Sequence, residues 1–231
     1  MQPPSVRAKT DHAHAAARIA ANLIPFVGGA LAELFGHVFS SSLDRRKEQW
    51  LREMGSAIEE LCVKVAGLTP EALSKDESFI SICLHASTIA LRSHQQEKLD
   101  ALRSAVVNSV GMDEVRELKA SFFIRLVDEF STLHLRILDV YSRPKWYLSE
   151  LQARNPTTRT HYPSLAAVWD EYGLAPNSND PLVKMAEREL ALRGLAYSES
   201  LEMPSRTQGM LSPLGKEFFE FIRSPECRVE S

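Results

Sequence analysis

Apolar residues recur in steps of three and four over most of this chain. From about Leu43 they fall at Leu51, Met54, Ile58, Leu61 and Val65, spaced 3, 4, 3, 4, which is a heptad seam. Trp50, seven residues after Leu43, lies on the same stripe. Phe79, Ile82, Ala86, Ile89 and Ser93 repeat that spacing, and Leu99, Leu102, Val106 and Val110 continue it. Beyond Gly111 the residues Val115, Leu118, Phe122, Leu126, Phe130, Leu133, Ile137 and Tyr141 predict one long helix ending near Arg143-Pro144. Ser40 to Ser42 offer N-caps, Gly67 a stop, and Thr69-Pro70 a fresh start. Four or five long amphipathic helices with short connections predict an antiparallel bundle.

Ahead of these seams stands IPFVGGALAELF, Ile24 to Phe35. The uncharged stretch around it, Ile19 to Ala32, has 14 residues and contains a proline and two glycines. A membrane-spanning helix needs about 20 apolar residues, so two short helices, Ala13 to Leu23 and Ala30 to Phe39, are expected instead. Such a hairpin suits a bundle core. If released, Phe26, Val27, Leu31, Leu34 and Phe35 become membrane or partner contacts, with Arg18, Arg45, Arg46 and Lys47 facing lipid head groups. Burying those five side chains contributes about 1.5–3 kcal/mol each, which favours the core. The basic residues before the apolar stretch superficially resemble a signal peptide, but Asp11, His12 and His14 interrupt it and export is not expected.

The pattern changes at Pro144. Residues 1–144 are read as the bundle with its N-terminal hairpin, 145–163 as a link with a short helix in its first half, and 164–231 as a smaller domain. In the last, PSLAAVWDEYG predicts a short helix, and Asp180-Pro181 opens another that runs LVKMAERELALRG to Gly194. LAYSES, a polar tip EMPSRTQG and MLSPLGKEFFEFI follow. Helix, strand, turn, strand and helix are the parts of a winged helix-turn-helix. The expected fold is thus mainly α, an antiparallel multi-helix bundle with a small C-terminal winged-helix-like α+β subdomain.

A DNA-reading module carries a basic stripe, because phosphate neutralisation supplies much of its affinity. Over Leu182 to Arg223 six cations meet six anions, and Glu187 and Glu189 lie on the would-be recognition helix. Lys184, Arg188, Arg193 and Arg206 are the candidate contacts for a partner or nucleic acid, the partner being favoured over DNA.

This layout, with LSPLGKEFFEFI matching L-[ST]-x-x-G-x-x-F near its end, resembles the bacterial abortive-infection alpha proteins, factors associated with defence against phage. The resemblance implies a cytoplasmic bacterial protein acting by growth arrest. That family supplies no catalytic residues to carry over.

The formal net charge of -3 gives no global pull toward nucleic acid or anionic lipid. Cys62, Cys83 and Cys227 are odd in number and show no CxxC spacing, which fits a reducing cytoplasm. His12-x-His14 lacks a surrounding ligand cluster, and Cys83 and His85, two apart on a helix, face different ways. Glu117-Leu118-Lys119 echoes part of a nuclease site but sits in a helix, and the Gly28-Gly29 pair is no phosphate loop. His94 and His134, near helix seams or ends, read as structural. No catalytic residue, metal or cofactor is therefore expected. Two function classes stand: a defence-type effector whose hairpin reaches a membrane, or a scaffold that binds a protein partner or forms a homo-oligomer.

Overall fold

The computed structural model describes residues 45–112, 114–154, 164–197 and 210–224. Over these the chain is mainly helical: α1 (Arg45–Lys64), α2 (Pro70–Leu73), α3 (Glu77–Ala90), α4 (Gln96–Asn108), α5 (Glu114–Glu129), α6 (Thr132–Ser142), α7 (Pro144–Arg154), α8 (Leu165–Glu171), α9 (Pro181–Leu192) and α10 (Pro213–Ile222). Contacts divide it into two compact units between Arg125 and Leu126, inside α5 and upstream of the composition change at Pro144.

In the first unit the seams largely become the core. Leu51, Met54 and Ile58 of α1 are buried, whereas Val65, past the helix end, is exposed. Asp76 caps α3 by accepting from the Phe79 N–H at 3.0 Å, and Phe79, Ile82, Ala86 and Ile89 are all buried. α4 adds Leu102, Ala105 and Val106, and packs against both α3 and α1. Trp50 is buried beside them and donates its indole N–H to the Ser87 hydroxyl at 3.0 Å, which satisfies the one polar atom of its ring. At the edge, Arg103 holds Glu53 at 2.9 Å and Asp100 at 2.7 Å.

α5 departs from expectation. Of the row read there, Leu126 is buried but Leu118 is 71% exposed, and burial spreads to a neighbouring row of Ala120, Phe123, Ile124 and, in the second unit, Val127. That row has the same helical period. Spacing fixes the period of a face, but the neighbours decide how far along each row the cover extends.

The single long helix expected to reach Arg143 is broken in two. Phe130 N–H still bonds to the Leu126 carbonyl at 2.9 Å, but Ser131 is extended (φ -78, ψ 166) and opens α6. His134 closes a capping box on it, with Nδ1 accepting from the Ser131 N–H at 3.2 Å. The usual box places Glu or Gln at that third position, so Ser-x-x-His does the same work with an imidazole.

α6 is the centre of the second unit. It buries Leu135, Ile137, Leu138, Val140 and Tyr141, and α9 and α10 pack against it. α7 fills the first half of the expected link and packs on α8. The two strands expected of a wing are not present as strands among the described residues. A single antiparallel bridge, Ala196 to Leu211, stands in their place, with Tyr197 N–H on the Met210 carbonyl at 2.9 Å and Ser212 N–H on the Leu195 carbonyl at 3.0 Å. The polar tip between them lies outside the described residues.

Candidate functional site

The corner between α8 and α9 is tightly specified. Ser164 caps α8 from its side chain, and Gly173, at φ +64, lets the chain leave it. The fully buried Trp169 donates its indole N–H to the Pro176 carbonyl at 2.7 Å, and both oxygens of Asp170 accept from Ser178 at 2.8 Å. Asp180 then caps α9 by accepting from the Leu182 N–H at 2.8 Å, with Pro181 at the first helical position. α9 ends in a Schellman arrangement: Leu195 N–H on the Leu190 carbonyl and Gly194 N–H on that of Ala191, both 2.9 Å, with Gly194 at φ +73.

The next turn explains LSPLG. Ser212 caps α10 by accepting from the Gly215 N–H at 2.9 Å while its hydroxyl donates to the Gly194 carbonyl. α10 crosses so close to the chain at Leu195 that a Cβ on Gly215 would lie 1.9 Å from the Leu195 carbonyl oxygen. RGLA and LSPLG are therefore two halves of one packing device.

Charges on α9 are mostly engaged within the unit. Glu187 is fully buried and its Oε1 accepts from the Tyr141 hydroxyl at 3.0 Å, while Lys184 Nζ lies 3.7 Å from Oε2. Burial, and then the Glu187 charge, push the Tyr141 phenol well above its ordinary range. Glu189 Oε2 is 2.8 Å from His134 Nε2. Because Nδ1 accepts from the Ser131 N–H, the tautomer that satisfies both ends puts the proton on Nε2, donating to Glu189. The ring also stacks on Phe130 with centroids 4.7 Å apart. Arg193 pairs with Glu129 at 2.7 Å.

The sequence candidates now have places. Lys184 and Arg193 are both beside carboxylates, and Arg188 is exposed on α9. Arg206 and the hairpin residues Phe26, Val27, Leu31, Leu34 and Phe35 lie outside the described residues. What the sequence reading missed is a second apolar row on α9. Val183, Ala186 and Leu190 are buried, but Leu182 (56% exposed), Met185 (51%) and Leu192 (75%) face outward. Its signal was present in PLVKMAERELAL, which carries more large apolar residues than one buried face of a short helix can use.

Elsewhere the chemistry is subdued. Cys83 is buried, which pushes its thiol up, and Glu117 accepts from the Ser78 hydroxyl at 2.6 Å, a structural engagement. A cleft of about 180 Å³ lies among Trp50, Glu53, His94 and Gln96, but Glu53 is held by Gln49 and Arg103 and Gln96 donates to Asp100. Among the described residues no cluster of His, Cys, Asp and Glu suits a metal ion, and no helix is long and apolar enough to cross a membrane. Comparison with protein families, curated proteins and solved structures returns no match to the chain.

Proposed function

We propose that this is a non-enzymatic effector or regulator that acts by protein contact, and that its second unit is a winged-helix-like module whose α9 docks a protein rather than reading DNA. One observation carries this: in the position of a recognition helix, α9 turns Leu182, Met185 and Leu192 to solvent. Exposed large apolar side chains on one side of a helix mark protein interfaces, whereas a groove-reading helix offers cations and amides to phosphates and base edges. Lys184 and Arg193 beside Glu187 and Glu129 further weaken the case for phosphate contact. The bridge at Ala196 and Leu211, flanked by α9 and α10, supports the winged-helix reading.

Phage defence is the setting implied by the resemblance of LSPLGKEFFEFI. Ser212 and Gly215 in that motif have a packing role, so the motif argues for a shared unit more than for a shared target. The test is photo-crosslinking in cells from a benzoylphenylalanine placed at Met185. Adducts that resist nuclease and yield to protease are expected. Nuclease-sensitive adducts, or none at all, overturn the protein-docking reading.

A further inference from the structure

We infer that His134 is a pH-sensitive switch, one that caps α6 when neutral and clamps α9 when charged, whatever α9 docks. Its two nitrogens serve different helices. Nδ1 accepts from the Ser131 N–H at 3.2 Å and lies 2.9 Å from the Ser131 hydroxyl, which donates to it as well while Nδ1 is bare. Nε2 reaches across to Glu189 of α9 at 2.8 Å. Only the neutral ring offers an acceptor, because the imidazolium carries a donor at each nitrogen.

The ring cannot turn away from this conflict. It is buried, and it stacks on Phe130 with centroids 4.7 Å apart and planes 4° from parallel. Phe130 in turn meets Phe218 of α10 edge-on at 6.0 Å. A proton taken up on Nδ1 has to be met by the partners instead. The Ser131 hydroxyl can rotate to accept it, but the Ser131 N–H loses its acceptor and, on an exposed residue, turns to water. The capping box thereby opens at its backbone end. At the other nitrogen the bond to Glu189 becomes an ion pair, which is stronger than its neutral counterpart. Acid thus loosens the break between α5 and α6 while drawing α9 onto α6.

Opposing influences balance the two states. Burial of the ring, and its place in the first turn of α6 where the helix dipole is positive, disfavour the charge. Glu189 favours it. The other charged groups on the surrounding helices are engaged elsewhere or face solvent. Glu187 meets Tyr141 and Lys184, Glu129 meets Arg193, and Asp139 meets Arg143 where α7 packs. Arg136 donates to the Ala175 carbonyl at 3.4 Å, Asp128 of α5 is half-buried, and Arg188 is exposed. α10 sets Phe218 against Phe130 and keeps Lys216, Glu217 and Glu220 exposed. An imidazole changes charge between about pH 5 and 8, so the exchange of cap for clamp falls in that window.

The experiment is a titration of the full chain from about pH 8 to 5 followed by nitrogen-15 NMR, a window that leaves ordinary carboxylates ionised. The ring nitrogens report the charge of His134. Exchange protection of the Ser131 amide, corrected for its intrinsic rate, reports the cap. Wild type is expected to hold the neutral Nε2–H tautomer at the alkaline end and, as the ring charges, to lose about tenfold in Ser131 protection, one hydrogen bond's worth. Glu189→Gln leaves Nε2 an acceptor but removes the negative charge, and should lower the midpoint by about one pH unit. Ser131→Gly removes the hydroxyl donor while remaining a competent N-cap, and should raise the midpoint. Should either variant fail to fold, the pairing of ring charge with Ser131 protection in wild type still decides. A ring neutral down to the acid end, or one that charges with Ser131 protection unchanged, overturns the switch. So does a midpoint that either folded variant leaves in place.

Discussion

Replacing Gly215 by alanine separates two physical accounts of the same residue. Gly215 is the third residue of α10, and on helix propensity alone alanine there should stabilise by up to about 1 kcal/mol. The structure reverses the sign. The new Cβ would sit 1.9 Å from the Leu195 carbonyl oxygen and 2.8 Å from its carbon, where ordinary contacts begin at 3.4 Å. Both obstructing atoms are backbone, so no side-chain rotation relieves the overlap, and α10 must withdraw by about 1.5 Å from the Leu195 segment. That withdrawal stretches the Ser212 N–H bond to Leu195, now 3.0 Å, and the Ser212 hydroxyl bond to Gly194. Two such bonds are worth about 0.5–1.5 kcal/mol each, and overpacking adds about 1–3 kcal/mol. Set against the propensity gain, a net loss of roughly 1–5 kcal/mol in the second unit is expected.

Urea unfolding followed by tryptophan fluorescence measures the loss, with amide exchange at Leu195, Tyr197 and Ser212 locating it. Lys216→Ala, exposed on the same helix, serves as the control and should stay within about 0.5 kcal/mol of wild type. A Gly215→Ala protein as stable as wild type, or more so, would refute the close crossing of α10 over Leu195.

Further outcomes follow from the buried polar groups. Tyr141→Phe removes the hydroxyl that Glu187 Oε1 accepts from and should cost about 1–3 kcal/mol; adding Glu187→Leu should recover part of it, and a double-mutant cycle in urea with no coupling would deny the pair. In alkali, Tyr141 and Tyr147 are held neutral by burial, with Glu187 and Asp139 respectively opposing ionisation, so both phenols are raised above their ordinary 10.0. Their contribution is fully present below pH 10 and is lost as pH rises above it, so the melting temperature should fall beyond pH 10, and fall less steeply in Tyr141→Phe. Cys83, buried and raised in the same sense, should resist a disulfide reagent at pH 8 in a Cys62→Ser, Cys227→Ser chain until urea unfolds the first unit.

The core was legible wherever a seam had only one way to be covered. Leu51, Met54 and Ile58, and Phe79, Ile82, Ala86 and Ile89, are buried as their spacing requires. It was less legible where two apolar rows run side by side. On α5 Ala120, Phe123 and Ile124 are covered beside Leu126 of the expected row while its Leu118 is left bare, and on α9 the second row through Leu182, Met185 and Leu192 is left bare. The break at Ser131 was hidden because its cap is closed by His134, an unusual residue for that place, while the apolar period runs through the break undisturbed. Of the candidate site, the cations were readable as residues but their partners were not, since Glu129 and Arg193 are far apart in sequence and meet only in the packed unit.

The carboxylates of α9 show why that matters for function. By composition alone Glu187 and Glu189 read as charges that would repel DNA from a recognition helix. Their actual role is toward α6: the buried Glu187 takes the Tyr141 hydroxyl and the half-exposed Glu189 takes His134, so two of the helix's charges orient it on its support. Glu187 fixes α9 from its buried side and Glu189 from within the exposed row, four residues after Met185 and three before Leu192, so Leu182, Met185 and Leu192 are left around it with no fold to stabilise within the unit. A helix anchored by its charges and bare on its hydrophobes is the reverse of a phosphate-seeking one. The protein-docking reading therefore rests on how the polarity of α9 is distributed in space, and a change that rotates this distribution should test it directly. Exchanging Leu192 for Arg adds a cation to the exposed row without disturbing Tyr141 or His134; loss of the Met185 crosslink with no gain of duplex DNA binding at low salt is the expected result, and tight salt-sensitive DNA binding by the unaltered chain would sink it.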